Sequence, residues 1–379
     1  MRIEELALQR KHYAHLKDDE WRFMLQQVEG RQRTRDKLPS FAEMEDWWYP
    51  VRLSCEQCSS EVTARYKAEL VRRETSGVLV DLTGGYGVDT YFMSEHFPEA
   101  HYVEKNDELC RIARHNFAKN RPQIQVHHAS AEEFLATYSD LENAVIYIDP
   151  ARRDSHGGKV FRIEDCVPNV IELQPMLGKS QKVFIKLSPM LDITAALRSL
   201  DITFDVHIVA VKNEVKEVLL VETKGESEIY ATNIIDGDER QVFSFSADEE
   251  KQSNCMMYSR EHSLLSDTSI YYIYEPNAAI IKSGAFKLVG ARYGLYKMGP
   301  NTHLYIGKDY VVDFPGRVWE ILETNIRETK GIGANVMTRN YPMTADQLRK
   351  KLKVKDSDTH TIIGARLGDK PTLFLCKRV

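Results

Sequence analysis

The sequence predicts an α/β protein built on a doubly wound, mostly parallel sheet, with a helical N-terminal region and small α+β domains at its C-terminal end. Between Gly77 and Lys224, short apolar runs alternate with amphipathic ones, as strands and helices do around parallel sheets. Before Gly77 strand signals are few, and after Lys224 short strands and helices are mixed. We therefore expect four parts: residues 1–75, 76–224, 225–300 and 301–379.

The composition is that of an ordinary globular protein. The 379 residues carry a formal net charge of −5, with 42% hydrophobic and 28% charged side chains. No apolar run approaches the roughly 20 residues of a membrane helix, and the N-terminus lacks the apolar core of a signal peptide. Six cysteines are too few for a disulfide framework. We expect a cytoplasmic protein with no membrane partner, and the oligomeric state stays open.

The N-terminal region predicts helices. Ile3–Val28 consists mostly of good helix formers, and Gly30–Pro39 looks like a polar break. Trp47 and Trp48 are expected to pack this region against the next domain. The pair Cys55-x-x-Cys58 has no second pair to complete a zinc site, so both are interpreted as ordinary cysteines of a helical run from Ser54 to Leu70.

A glycine-rich turn opens the central part. Val78-Leu-Val-Asp81 is typical of a buried strand, and Leu-Thr83-Gly-Gly85-Tyr-Gly87 then leads into a helix from Val88. Position 90 is Thr, so the dinucleotide fingerprint G-x-G-x-x-G does not fit, and no Lys-Ser or Lys-Thr completes a P-loop. The pattern present is D-x-x-x-G-x-G. Ligands of open α/β sheets bind at such strand ends, although a tight turn without a ligand remains the alternative.

Two further acids follow predicted strands. Ala100-His-Tyr-Val-Glu104 ends in a carboxylate 23 residues after Asp81, a spacing at which it can accept hydrogen bonds from both hydroxyls of a ribose. Ile124–Ser130 is the third strand. The fourth is Ala144-Val-Ile-Tyr-Ile, which ends in Asp149-Pro150. The proline fixes its own φ and biases Asp149 towards an extended conformation.

The glycine motif resembles motif I of the class I S-adenosylmethionine-dependent methyltransferases, whose fold is a Rossmann-like doubly wound sheet. Thr83 stands where those enzymes usually have a third glycine, a variation similar to their RNA-modifying branches. The resemblance implies S-adenosylmethionine as cofactor, held near Asp81, Thr83, Gly85, Gly87 and Glu104. Ser130 and Ala131 follow the third strand, where these enzymes commonly place an Asp against the adenine amino group.

An upstream segment adds to this resemblance. Ser59-Ser60-Glu61-Val-Thr-Ala64 is similar to the T-P-E-x-x-A helix of trimethylguanosine-synthase-like RNA methyltransferases, with the proline replaced. In those enzymes the hydroxyl and the carboxylate lie near the cofactor, which implies the same for Ser60 and Glu61.

The run Asp149-Pro150-Ala-Arg152-Arg153 resembles motif IV, written D-P-P-[W/Y/F] in amino-group methyltransferases and D-P-P-R in uridine-5 methyltransferases. The resemblance implies that Asp149 and Pro150 hold the methyl acceptor and that Arg152 or Arg153 contacts a phosphate. A turn that merely ends the strand is the alternative.

The type of chemistry depends on the fifth strand. Uridine-5 methyltransferases carry a nucleophilic Cys after it, because carbon 5 must be activated by covalent addition. In Val183-Phe-Ile-Lys-Leu187-Ser-Pro189 a leucine occupies that place, and Cys166 lies before the strand. Covalent carbon methylation is therefore disfavoured, and an amine or ring nitrogen is the predicted acceptor.

The C-terminal parts suggest a nucleic-acid partner. Ser269–Pro276 predicts an aromatic strand and Asn277–Gly290 a helix. Residues 315–379 contain 13 Lys or Arg and 7 Asp or Glu, with the densest run at Leu348–Lys355. This part resembles the THUMP-like unit of a bacterial family of methyltransferases, and THUMP-type domains are associated with RNA. The predicted partner is therefore RNA (tRNA or rRNA). A methyltransferase acting on protein or a small metabolite, and a catalytically silent RNA-binding protein, are the alternatives.

Overall fold

The computed structural model describes residues 3–72, 77–152, 162–259, 271–326 and 333–379. The chain forms two compact units, the first comprising 1–206 with 216–226 and the second 207–215 with 227–379. Arg153, the side chain of Arg152 and the start of the aromatic strand predicted from Ser269 lie outside the described residues. Within the described ranges no helix is both long and apolar enough to span a membrane.

The first unit contains the helices and strands of the N-terminal and central parts. Its helices are α1 (Ile3–Ala7), α2 (Asp18–Thr34), α3 (Pro39–Glu43), α4 (Arg52–Gln57), α5 (Glu61–Val71), α6 (Val88–Met93), α7 (Asp107–Asn120), α8 (Ala131–Thr137), α9 (Val170–Leu177) and α10 (Ile193–Arg198). Its strands are β1 (Val78–Asp81), β2 (Ala100–Glu104), β3 (Ile124–His128), β4 (Ala144–Ile148), β5 (Ala151–Arg152), β6 (Cys166–Val167) and β7 (Lys182–Leu187). The chain passes between the units within β8 (Phe204–Val211) and β9 (Glu214–Glu222).

The strand order β9-β7-β4-β1-β2-β3 confirms the predicted doubly wound sheet. β1 pairs in parallel with both β2 and β4, β2 with β3, and β4 with β7. β9 then pairs antiparallel to β7. The central strands are apolar because both faces are covered, and in β4 all five residues are buried. The carboxyl ends of β1, β2 and β4 therefore share one edge.

The N-terminal helices pack on this sheet through Trp47 and Trp48, as expected from the sequence. Phe41 stacks on Trp47 with ring centroids 4.0 Å apart, and Trp47 Nε1 donates a hydrogen bond to the hydroxyl of Tyr86 in the glycine turn. Trp48 stacks on His115 of α7 at 3.7 Å. The N-terminal region and the central sheet thus share one hydrophobic core.

Two predicted boundaries in this region were wrong. α2 continues through Gly30 to Thr34 instead of breaking there. The glycine makes room for Tyr49, since a Cβ at position 30 would lie 2.3 Å from the Cβ of Tyr49. The helix expected from Ser54 to Leu70 is interrupted at Cys58, where Ser60 starts α5 as its N-cap.

The second unit is α+β. Its helices are α11 (Ala247–Gln252), α12 (Ala278–Ser283), α13 (Phe286–Arg292) and α14 (Ala345–Leu352). Its strands are β10 (Glu228–Asp236), β11 (Glu239–Ser246), β12 (Tyr272–Pro276), β13 (Tyr296–Lys297), β14 (Tyr305–Gly307), β15 (Gly316–Thr324), β16 (Asn335–Arg339), β17 (Thr361–Leu367) and β18 (Lys370–Arg378). The last seven strands form one sheet in the order β13-β14-β12-β15-β18-β17-β16. The helix predicted over Asn277–Gly290 is divided at Gly284, whose φ of +81° ends α12.

Candidate active site

A cavity of about 370 Å³ opens at the carboxyl ends of β1, β2 and β4. This is the size of a small-molecule site. Most of the residues predicted from the sequence lie on its wall: Asp81, Thr83, Gly85, Gly87, Glu104, Ser130, Ala131 and Asp149. The wall also contains residues that the sequence analysis did not assign to a site, among them Ser54, Gln57, Cys58, Ser59, Asp89 and Tyr147.

Asp81 is a buried carboxyl at the base of the cavity. Its Oδ1 accepts a hydrogen bond from the backbone N–H of Thr83 at 2.9 Å, and its Oδ2 accepts one from the hydroxyl of Thr90 in α6. Burial raises the pKa of Asp81 to about 7, and these two hydrogen bonds oppose the rise. The group therefore ties the glycine turn to the helix that follows it.

The glycine turn needs its small residues. Gly87 has φ of +83°, and a Cβ there would lie 2.6 Å from the ring of Phe117. Gly85 has φ of +54° and faces open space, since its nearest neighbour in that direction is 3.8 Å away. The backbone at Gly85 is thus left accessible to a ligand.

Glu104 lies beside this turn. One carboxylate oxygen accepts the N–H of Gly85 at 3.0 Å, and the other accepts the N–H of Asn106 at 2.8 Å. Each oxygen keeps a lone pair for a further donor. The carboxylate predicted from the 23-residue spacing is therefore fixed in position against the turn.

Thr83 connects the two sequence motifs. Its hydroxyl oxygen accepts the backbone N–H of Asp149 at 2.7 Å. A single side chain therefore fixes the end of β4 against the end of β1. A glycine, which is common at this position in the enzymes that the motif resembles, has no side chain for this contact.

Ser130 and Ala131 begin α8. The hydroxyl of Ser130 accepts the N–H of Glu133 at 3.1 Å, and the carboxylate of Glu133 accepts the N–H of Ser130, which makes a capping box. Both residues are on the cavity wall, and the adenine contact of Ser130 stays a prediction.

The structure does not bring Ser60 and Glu61 to the cavity wall. Ser60 caps α5 by accepting the N–H of Thr63 at 3.2 Å. Glu61 accepts hydrogen bonds from the N–H and the hydroxyl of Ser40 and from Arg65. The neighbouring Ser59 lines the cavity instead. The segment that the pattern indicated therefore reaches the cavity wall through Ser59.

The residues of the Asp149-Pro150 motif also lie partly on the cavity wall and partly away from it. Asp149 lies on the wall and forms an ion pair with Lys186 of β7. Pro150 is not among the lining residues, whereas Ala151 is. Arg152 pairs through its backbone with Cys166 in the short β5–β6 ribbon.

A buried cluster of charges lies behind Asp149. Lys67 of α5 is fully buried and donates to both oxygens of Glu217 in β9 at 2.7 Å. It also lies 3.3 Å from Asp89 Oδ1. The other oxygen of Asp89 accepts hydrogen bonds from the hydroxyls of Ser59 and Tyr147, both at 2.7 Å.

The cluster controls the ionisation of its members. Burial opposes the charge of Asp89, but Lys67, Lys186 and the two hydroxyls together lower its pKa. Burial also lowers the pKa of Lys186, yet the carboxylates of Asp149, Asp89 and Glu217 outweigh that effect and raise it above its ordinary value. Both groups are therefore charged at neutral pH.

The sequence analysis missed this cluster, although a signal was present. Lys186 stands between Ile185 and Leu187 in an apolar strand, and Glu217 directly precedes Val-Leu-Leu-Val. A charged residue inside a run that predicts a buried strand requires a partner. What the pattern does not provide is the identity of that partner, because Lys67 and Glu217 are 150 residues apart.

Two family models match the C-terminal part of the chain, a ferredoxin-like domain over residues 272–315 and a THUMP domain-like model over 316–378. A crystal structure of a Porphyromonas gingivalis W83 protein assigned to the methyltransferases superposes with a TM-score of 0.85 at 31% identity, over 96% of this chain and 92% of that one. The chain belongs to this methyltransferase family.

Curated relatives name the cofactor. Two Mycobacterium tuberculosis proteins (strains CDC 1551 / Oshkosh and ATCC 25618 / H37Rv), each described as an uncharacterized S-adenosylmethionine-dependent methyltransferase, are 22% identical over 346 residues. The match spans 87% of this chain and 89% of each relative. The chain is thus an S-adenosylmethionine-dependent methyltransferase with a THUMP-like C-terminal domain.

The residues of the cavity fit this cofactor. The open backbone at Gly85 leaves room for close approach, and the carboxylate of Glu104 retains acceptor capacity for hydroxyl groups. The residues that form the glycine turn, Thr83 to Gly87, lie on the same wall as Glu104 and Ser130, so one cavity holds the groups that the turn and the ribose of this cofactor require.

Proposed function

We propose that this methyltransferase modifies a nucleobase nitrogen in RNA. The observation that carries the proposal is the acceptor end of the cavity, where the carboxylate of Asp149 lies on the wall and Leu187 occupies the position of the uridine-5 nucleophile. A carboxylate can orient an amino group whose own lone pair attacks, and such chemistry needs no covalent intermediate.

Among the described residues, Cys58 is the cysteine that lies on the cavity wall, and its environment makes it a poor nucleophile. Burial raises the pKa of its thiol, and its Sγ donates to the carbonyl oxygen of Cys55 at 3.2 Å. Cys166 is buried in β6, where its Sγ donates to the carbonyl oxygen of Arg162.

We assign the cofactor to the residues that surround the glycine turn. Glu104 would accept the ribose hydroxyls, and Ser130 with Ala131 would contact the adenine. Asp81, Thr83, Gly85 and Gly87 would form the turn against which the rest of the cofactor lies. Ser60 and Glu61 support this site from α5 without touching the ligand.

The cofactor supplies an electrophilic methyl group on a sulfonium. Asp149 holds the acceptor nitrogen by accepting one of its N–H bonds, with its own backbone fixed by Thr83. The bound cofactor would supply the methyl group and keep the electron pair of its C–S bond on sulfur, while the proton that the nitrogen releases would pass to Asp149 and then to water. Orientation of this kind contributes up to about 7–11 kcal/mol to lowering a barrier.

RNA is the proposed partner because of the basic run at the end of α14 and directly after it. Lys350, Lys351, Lys353 and Lys355 are exposed, and within the described residues they form no ion pair. Exposed lysines of this kind bind phosphates with little sequence preference. The THUMP domain-like match covers the same segment.

The test is methyl transfer from labelled cofactor to separate RNA, protein and metabolite fractions. We expect the label in RNA, in nucleosides that are N-methylated on the base when the RNA is digested. Asp149→Asn should lose transfer while keeping cofactor affinity within several-fold, and Cys58→Ala with Cys166→Ala should retain transfer. Label in protein or metabolites alone would refute the RNA assignment. A protein–RNA adduct that disappears in either cysteine variant would refute the nitrogen chemistry.

A further inference from the structure

We propose that Lys186 is a positioning residue that neutralises Asp149, so that the acceptor end of the cavity selects a neutral N–H donor, such as an aromatic amino group, and rejects an ammonium. The proposal rests on the role assigned above to Asp149. It names the residue that would make the site accept an uncharged nitrogen, such as that of a nucleobase, and reject a charged one.

The first step is the geometry of the pair. Lys186 projects from β7 with its side chain 14% exposed, and its Nζ donates to Oδ2 of Asp149 at the end of β4. The side chain of Asp149 is 38% exposed and lies on the cavity wall. One carboxylate oxygen is thus occupied by the ammonium, which leaves the other for a ligand.

The second step is that the neighbouring carboxylates have partners of their own. Glu217 receives both of its short contacts from Lys67. Asp89 is held by Ser59, Tyr147 and the nearby Lys67. Lys186 is therefore the cation in direct contact with Asp149, although Asp89 and Glu217 also act on its charge.

The remaining titratable groups that face the pair do not supply another cation. They are Asp81 of β1, Tyr147 of β4 and Cys58 after α4. Each of these groups is neutral when protonated and negative when ionised, so none of them adds a positive charge. Among the described groups around Asp149, only the two lysines carry positive charge. Of the described cations, Lys186 is the one in contact with Asp149, and removing it would take away that charge.

The consequence concerns the charge of the acceptor. A carboxylate paired with an ammonium presents little net charge, so it gives a cationic ligand little Coulomb attraction. An alkyl ammonium also has no lone pair for attack, and a site of this kind does not compensate its desolvation. A neutral aromatic amine loses less on entering, and its N–H donates to the free oxygen of Asp149.

Sinefungin and S-adenosylhomocysteine test this without any acceptor. Sinefungin carries an ammonium in place of the transferable methyl group, whereas S-adenosylhomocysteine is uncharged there. In Lys186→Met the affinity ratio should shift towards sinefungin by at least about tenfold, because Asp149 is left with an unpaired charge. Lys186→Arg should keep the wild-type ratio, and Lys186→Met/Asp149→Asn should restore it.

A second variant gives an answer if Lys186→Met does not fold. If Lys186→Met fails to bind S-adenosylhomocysteine, Asp149→Asn alone decides, because the unpaired Lys186 should then weaken sinefungin relative to S-adenosylhomocysteine by several-fold. An affinity ratio unchanged in Lys186→Met, or in Asp149→Asn where only that variant binds, overturns the proposal. The measurement is independent of RNA, so a failure to methylate RNA would refute the proposed function and leave this result standing.

Discussion

At the scale of single residues, the cavity shows how one side chain can serve two motifs. The sequence identified Asp81, Glu104 and Asp149 by their spacing, because the ends of parallel strands meet at one edge. It could not show that the hydroxyl of Thr83 accepts the N–H of Asp149, since that contact joins residues 66 positions apart. Spacing along the chain predicts which residues approach each other, but not which atoms bond.

Thr83→Val should therefore lower turnover. The valine keeps the shape of the side chain but leaves the N–H of Asp149 without its acceptor, a loss of about 1–3 kcal/mol when the group is shielded from water. We expect kcat to fall roughly tenfold or more, with cofactor affinity within several-fold. Thr83→Ser retains the hydroxyl and should behave as the wild type. Equal activity of Thr83→Val and Thr83→Ser would contradict this role.

Asp81 should make stability depend on pH in a specific window. Its folded pKa of about 7 lies above the ordinary value of 3.8, so between these values the folded state binds more protons than the unfolded state. Stability should consequently fall as pH rises through this window, by up to about 1.4 kcal/mol per pH unit from this group, and level off above pH 7.

Asp81→Asn should remove that component. Urea denaturation at pH 5, 6, 7 and 8 would show a flatter pH dependence for the variant, measured as the free energy of unfolding. Glu132, an exposed carboxylate on the same cavity wall, provides the control substitution Glu132→Gln, which should leave the slope unchanged. Parallel curves for the wild type and Asp81→Asn would contradict the assignment.

At the scale of elements, the sequence predicted the bounds of a helix best where neighbouring residues alone determine them. The helix predicted from Val88 begins at that residue as α6, directly after Gly87, whose φ of +83° ends the glycine turn. Local patterns failed at Gly30, where the helix continues and the glycine serves to make room for Tyr49, a contact that neighbouring residues do not reveal. The four-part division of the chain stays a prediction.

The basic run at the end of α14 and directly after it carries the element-scale prediction. Reversing Lys350, Lys351 and Lys355 to Glu should flatten the dependence of log RNA affinity on log salt by about two units, since each phosphate contact contributes roughly 0.7–0.9. Lys353 is left unchanged because its φ of +54° makes the position sensitive to substitution.

The control for α14 keeps the same change in charge. Reversing Lys11, Lys119 and Lys179, which are exposed on other elements, alters net charge equally without touching α14. RNA binding is measured at several salt concentrations for both triple variants. A slope that falls equally in both would show that total charge, and no particular helix, determines binding.

At the scale of the whole molecule, the cofactor should act on one part of the chain. Any ligand that binds only the folded state stabilises it, by about 2.7 kcal/mol at a concentration 100 times its Kd. Hydrogen exchange measured with and without S-adenosylmethionine should slow in residues 81–89, 104, 105, 109 and 129–132, which lie on the cavity wall. The sheet that contains β15–β18 should exchange at unchanged rates. Protection confined to that sheet would place the cofactor elsewhere.

The buried pair of Lys67 and Glu217 restricts which substitutions these two positions can accept during evolution. Losing either residue alone would leave an isolated charge in the interior, a change that typically costs about 3–5 kcal/mol. Losing both together would cost far less. The two positions should therefore vary jointly among related chains, as two ionic or two uncharged residues, and the double variant Lys67→Met/Glu217→Gln should fold better than either single one.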